Sequence, residues 1–185
     1  MFQNKLGSFI VDTLQVIVFA VSIFLFIYLL VMQPHKIKGS SMEPDFHNGE
    51  FLLTDKLTYR FSEPKRGDVV IFKAPPDDRD EFIKRIIAIP GDTVLVQNGK
   101  VSVNGKLIDE PYLSDNTFTS GGSIAVEGTQ LTIPQGKYFM MGDNRPHSFD
   151  SRNFGPIGKE KITGRAWIIY WPPQNFGVIK AFSSI

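Results

Sequence analysis

Hydrophobic positions are distributed along this chain in two different ways. From Leu14 to Met32 they form an unbroken run, LQVIVFAVSIFLFIYLLVM, without a single charge. Wound as an α-helix at 1.5 Å per residue, the run is roughly 28 Å long, close to the ~30 Å hydrocarbon core of a bilayer. A helix buried in a soluble core would show a polar stripe, and this one has none. A cleaved leader is the other rival. Its apolar region runs to roughly 7–15 residues and ends at a small-x-small cleavage site. Here the run is longer, and QPHK follows it. The pattern predicts one uncleaved membrane-spanning helix. Flanking charge says little about its direction, since Lys5 precedes the span while His35, Lys36 and Lys38 follow it.

From Pro34 onward the apolar residues come in short, β-branched and aromatic bursts separated by Gly, Pro and Asn. GDVVIFKA, EFIKRIIAIPGD, TVLVQ, KVSV, KYFMMGD and ITGRAWIIYW read as strands. Asn98-Gly99 and Asn104-Gly105 separate TVLVQ, KVSV and KLI, and Asn-Gly is the strongest short-range hairpin signal, so a three-strand meander is predicted there. Residues 110–136 read as a looser excursion with TSGGS at an exposed tip. The fold class is mostly β, tethered to a membrane by one N-terminal helix. The units are 1–33, a short tail and anchor, and 34–185, a β-rich domain with a hairpin-rich excursion over about 98–136.

Composition narrows the chemistry. Without cysteine there is neither a disulfide nor a thiolate metal site, and three histidines without a His-x-x-x-His pair argue against zinc. Twenty basic against 19 acidic residues make no field for nucleic acid. A hydrolase built from this chain would need Ser, Thr or a carboxylate pair, and no cofactor is implied.

Three matches are weak. Ser62 to Lys65, SEPK, fits a Ser-x-x-Lys motif that needs a helix, but Pro64 and Gly67 make it a turn. Arg66-Gly67-Asp68 runs straight into the strand VVIF. A Ser-His-Asp triad through His147 and Asp150 rests on one of three scattered histidines. Lys84 is the better base. Alternation in EFIKRIIA places Phe82, Lys84, Ile86 and Ala88 on one face and Ile83, Arg85 and Ile87 on the other. An ammonium flanked by Phe82 and Ile86 is poorly hydrated, which favours its neutral form. Bringing it from ~10.4 to near 8 costs roughly 3 kcal/mol. A lysine snorkelling from a strand edge has the same spacing, so alternation alone leaves both readings open. MGDNRPHSFDSRNFG, residues 141–155, lies between two apolar strands, and Asp150 and Arg152 in it are spaced to pair and brace a site.

Taken together, these segments resemble the bacterial type I signal peptidases, membrane-bound proteases of secretion that use a Ser/Lys pair. GSSMEP resembles the family's S-M-x-P box, RGDVVIF its third box, FIKRIIAIPGD its K-R-x-I-x-x-P-G-D box and MGDNRPHSFDSRNFG its G-D-N-R-x-x-S-x-D-S-R box. The four stand in the family's order behind an N-terminal anchor. The resemblance implies a coiled antiparallel β catalytic domain held near the membrane, with Ser41 as nucleophile, Lys84 as general base and Ser148 orienting the lysine. Asp150 and Arg152 become a structural ion pair behind them. Ser40, one place earlier, is not catalytic. Ile37 and Ile83 become pocket residues, and Met42 faces the membrane or the cleft. The resemblance further implies cleavage of secretory preproteins with small residues at −1 and −3, bound as an added strand. It puts the catalytic domain of a single-pass protein on the extracytoplasmic side. The chain departs from the pattern at Gly39, where some relatives have an oxyanion-hole serine, and at Asp45, where a threonine is usual. The Ser41 backbone N–H would then carry most of the hole. The alternatives are a LexA-like self-cleaving Ser/Lys protein, opposed by the anchor, and a membrane-tethered binding domain without chemistry, opposed by the intact Ser41 and Lys84.

Overall fold

The computed structural model describes residues 2–182. Helix α1 (Phe2–Phe26) is continued by a π-helical turn, Ile27–Val31, which hands the chain to strand β1 (Met32–Lys36). Within α1, the span Gly7–Phe26 contains an 18-residue window of mean hydropathy 2.4, none of it buried against the rest of the protein, which sets the core-helix alternative aside. Its hydroxyls are satisfied locally: Ser8, Thr13 and Ser22 donate to the carbonyls of Lys5, Phe9 and Val18. That leaves little polar surface for hydrocarbon to meet. The apolar run does not stay helical to its end, because Met32 already pairs with Asp55 in the first sheet.

The remaining strands are β2 (Phe51–Asp55), β3 (Val69–Lys73), β4 (Glu81–Ala88), β5 (Thr93–Gln97), β6 (Lys100–Val103), β7 (Lys106–Leu107), β8 (Leu131–Thr132), β9 (Lys137–Met141), β10 (Ile157–Gly158), β11 (Ile162–Trp171) and β12 (Gly177–Val178). Two short helices, α2 (Thr58–Phe61) and α3 (Ser151–Phe154), lie between them. One sheet runs β1-β2-β11-β3-β4-β9-β10 with β12 beside β11, and the second runs β7-β6-β5-β8. Neighbours are antiparallel throughout. Register shifts in β11 near Gly164, Trp167 and Tyr170, and in β4 near Ile87, bend and coil the large sheet. The predicted meander is β5–β6–β7. Its turns have positive φ at both central residues, 53° and 77° at Asn98-Gly99 and 53° and 75° at Asn104-Gly105, the backbone that suits a two-residue hairpin.

Strand β3 as far as Phe72 and strand β4 from Lys84 onward are buried on both faces. Val69 and Ile71 join Met42, Phe46 and Leu52 in one cluster, and Val70, Phe72 and Ile86 join Tyr138 and Met140 in another. Ile87 and Ala88 face a third cluster with Val94, Val101 and Phe139, which joins the two sheets. Lys84 and Arg85 are therefore charged residues in a two-sided core.

The excursion differs from its expected form. TSGGS is not an exposed tip: Thr119 is buried, and a Cβ on Gly122 would stand 2.4 Å from the Arg152 carbonyl oxygen. Ile124 and Ala125 both donate backbone N–H groups to that oxygen. Missing side chains let this segment close against residues 145–152.

Candidate active site

Lys84 Nζ donates to Ser41 Oγ at 2.7 Å and to the Ile83 carbonyl at 2.8 Å. Lys84 is 3% exposed, its amine lies 5.4 Å from the centre of the Phe82 ring, and Ile86 on the same face is fully buried. The flanking expected from strand alternation is thus present. Burial lowers the lysine to about 8, against the opposing pull of the Asp150 and Asp143 charges. Stripping water from the ammonium is the dominant effect. Near neutral pH a minor but appreciable share of such a group is the free amine, the form that can take a proton from a serine hydroxyl.

Ser41 sits in a tight turn after β1. Gly39 adopts φ +86°, and its N–H donates to Asn48 Oδ1 at 3.0 Å. The Ser41 carbonyl accepts the Asn144 N–H at 3.0 Å, and the Ser40 carbonyl accepts Asn144 Nδ2 at 3.1 Å. A Cβ on Gly142 would stand 2.4 Å from that Ser41 oxygen and 2.3 Å from Ser148 Oγ. The glycine is required by closeness. Met42 departs from expectation: it faces neither membrane nor cleft, but is 1% exposed and packed with Phe46, Leu52 and Val69. The turn that presents Ser41 points the next side chain into the core, where an unbranched thioether fills space.

Behind the pair, Asp150 accepts Arg152 Nε at 2.8 Å and Nη2 at 2.8 Å, together with the backbone N–H groups of Gly142 and Arg152. Burial would raise this carboxyl, but the Arg152 bonds and charge and the Gly142 N–H hold it below the usual carboxylate range. The Asp150–Arg152 pairing suggested by spacing is present. The histidine triad is not: His147 is exposed, and its neighbour Asp150 is engaged elsewhere. Ser148 also differs. Its Oγ is buried without a hydrogen-bond partner among the described residues, close enough to Asp150 to help lower that carboxyl without reaching bonding geometry. The lysine is oriented here by Ser41 and Ile83.

Sequence reasoning missed several residues. Arg85 Nε and Nη2 meet both oxygens of Asp143, at 3.0 and 2.6 Å. Arg145 binds Glu110 and donates to Thr119 Oγ1 at 2.9 Å, tying the loop to the excursion. Asp45 lies 3.9 Å from Arg85, so the position that departs from the family pattern touches the same network. Arg85, Asp143, Asn144 and Arg145 stand inside the quoted boxes, but their partners are distant in sequence. Of the weak matches, Lys65 N donates to Asp68 in a turn, and Arg66 pairs with Asp92.

An open cleft of about 380 Å³ leads to Ser41 and Lys84 between β1 and β4, with Ile37, Ile83, Phe82 and Phe149 in its walls. His35 and Glu81 join the two walls at 2.7 Å, a contact not foreseen. Both walls offer unpaired strand edges. Among the described residues, β1 pairs only with β2, and the side of β4 away from β3 is covered by β9 only from Arg85 onward. A free edge of this kind accepts an extended peptide by strand addition.

Several known proteins are similar to this chain. A family model described as "Signal peptidase, peptidase S26" matches residues 10–171. The chain is 37% identical over 174 residues to signal peptidase I of Bacillus licheniformis, covering 91% of this chain and 92% of that one. It is 43% identical over 138 residues to signal peptidase I V of Bacillus subtilis, covering 70% and 80%. A crystal structure of a signal peptidase I from Enterococcus faecalis aligns with 56% of this chain and 97% of its own, at 31% identity and a TM-score of 0.47.

Proposed function

Because the chain belongs to the signal peptidase family, peptidase S26, and is thereby a peptidase, we propose that Ser41 is its nucleophile and Lys84 its general base. The observation that carries this reading is the 2.7 Å contact between a desolvated lysine amine and a serine hydroxyl at the floor of an open cleft. Family membership also separates the chain from the LexA-like alternative.

The neutral amine of Lys84 takes the Ser41 proton as Oγ attacks the scissile carbonyl. The Ser41 N–H makes no hydrogen bond to another described residue and is the donor left for the oxyanion. As the C–N bond breaks, the lysine returns the proton to the leaving amine, and an ester to Ser41 remains. Oγ is then a poor partner for the amine. Ser148, buried and unpartnered beside Asp150, is the hydroxyl that takes over its orientation while Lys84 activates water. Asp150 and Arg152 brace this loop.

The substrate is a secretory preprotein whose extended segment adds to the free edges of β1 and β4. Ile37 and Ile83 shape a small pocket that favours small side chains at −1 and −3. Met42 supports that wall from within the core and does not line it. Residues 1–33 form the anchor and 34–185 the catalytic unit on the extracytoplasmic side. Met1 and residues 183–185 lie outside the described residues, and β1 begins two residues before the proposed boundary. Tethering enzyme and substrate to one bilayer raises their effective concentration, so a short recognition site suffices.

The test is to incubate the detergent-solubilised full chain with a preprotein and sequence the new N-terminus. Cleavage after a small −1 residue is expected, lost in Ser41→Ala and in a substrate with Phe at −1. Cleavage unaffected by either change would sink the proposal.

A further inference from the structure

The guanidinium of Arg85, next to Lys84 on the opposite face of β4, lies against two neighbouring aromatic rings. Its Cζ is 4.1 Å from the centre of the Tyr112 ring and 5.4 Å from that of Phe182. The two rings are 5.7 Å apart. Phe182 arrives on a segment that pairs with β11 through Gly177 and Val178, and Ile179 donates to the Trp167 carbonyl at 2.8 Å. The segment then crosses Gly67 so closely that a Cβ there would stand 1.8 Å from the Phe182 carbonyl oxygen. Gly67 also has φ +83°, so both its backbone and its bareness suit the crossing.

From Arg85 the contacts lead to the nucleophile. Arg85 grips Asp143 through two bonds and the Gly67 carbonyl through a third at 3.1 Å. The residue after Asp143 is Asn144, whose two donors hold the carbonyls of Ser40 and Ser41. We propose that residues 179–182 are a positioning strap: Phe182 closes one side of the Arg85–Asp143 pair, and that pair, through Asn144, fixes the backbone that presents Ser41. Phe182 touches no reacting atom. Its ring, beside that of Tyr112, packs against the guanidinium and shields the two bonds to Asp143 from water.

The inference rests on the Ser41–Lys84 reading, so the experiment carries a control for each. kcat and KM are measured on one peptide substrate for the wild type, Lys84→Ala, Phe182→Ala and Phe182→Tyr. Each value is normalised to the fraction folded, read from thermal unfolding of the same samples. Phe182→Ala is expected to lose roughly 10–100-fold in kcat with KM nearly unchanged, since a displaced nucleophile costs rate and spares binding. Phe182→Tyr, which keeps the ring, restores most of it. Wild-type kcat per folded molecule in Phe182→Ala overturns the strap. So does a loss that Phe182→Tyr shares in full, or one that appears wholly in KM. If Lys84→Ala cleaves as well as wild type, the catalytic reading itself falls.

Discussion

Lys84 and Ser41 are 43 residues apart in the chain and 2.7 Å apart in the fold. Strand β4 supplies one and the turn after β1 the other. A lysine amine bonded to a serine hydroxyl at the floor of a cleft is expected to act as a unit, because neither half has another route to the same chemistry. Ser41→Ala, Lys84→Ala and the double variant should therefore be about equally inactive, with no additivity. His147→Ala and Ser40→Ala should retain most activity, since one side chain is exposed and the other lies outside the contact. Steady-state rates on a peptide substrate check this. A folded His147→Ala protein as inactive as Ser41→Ala would overturn the lysine mechanism.

Much of this was legible in the sequence wherever the cause is local. The Asn98-Gly99 and Asn104-Gly105 turns follow from two residues that tolerate positive φ, and they form as expected. The face shared by Lys84, Phe82 and Ile86 follows from the period of a strand. What was not legible depends on segments meeting from far apart. Whether TSGGS dangles or packs is decided by Arg152, about 30 residues on, and Met42 turns inward because Phe46, Leu52 and Val69 leave room for it. The Arg85–Asp143 and His35–Glu81 pairs need the register of strands that no spacing rule relates.

Arg152 is expected to matter chiefly through the charge it leaves behind. Asp150 is fully buried, and Arg152→Met would strand its carboxylate, at a cost of about 3–5 kcal/mol. Asp150→Asn/Arg152→Met should recover part of that loss. The folded Asp150 pKa lies below its unfolded value, so the pair's contribution is present above the ordinary carboxylate pKa of about 3.9 and fades as pH falls through the lower folded value. Urea unfolding at neutral pH and near pH 3 measures both effects. A neutral-pH loss under about 1 kcal/mol for Arg152→Met would show that the pair is not the brace assigned to it.

Ser148→Ala separates a chemical role from a structural one. Its hydroxyl makes no bond to another described residue, so removing it should leave the unfolding midpoint nearly unchanged, whereas deleting one half of a bonded pair would not. Activity should still fall sharply, because the Lys84 amine would keep only the Ile83 carbonyl as a partner once Ser41 is acylated. Full activity in a stable Ser148→Ala protein would remove the residue from the mechanism.

The pH dependence tests the burial of Lys84 in two independent ways. A general base works only when deprotonated, so kcat/KM should rise through the lysine's folded pKa of about 8 and give an alkaline optimum. A solvated lysine would place that limb near ~10.4, and a histidine base near ~6.5. The same depression has a consequence for stability. Below pH 8 the folded state holds a desolvated ammonium, and between about 8 and the ordinary lysine value the unfolded chain binds the proton that the folded chain lacks. The burden Lys84 places on the fold is therefore greatest below pH 8. It shrinks as pH rises and is gone above the unfolded pKa. Lys84→Met should unfold at a higher urea concentration than wild type at pH 7, by about 3 kcal/mol, and this advantage should disappear by about pH 11. A limb near 10.4 together with equal stability of the two proteins at pH 7 would mean that water reaches the amine. A limb near 6.5 that vanishes in His147→Ala would transfer the base to histidine.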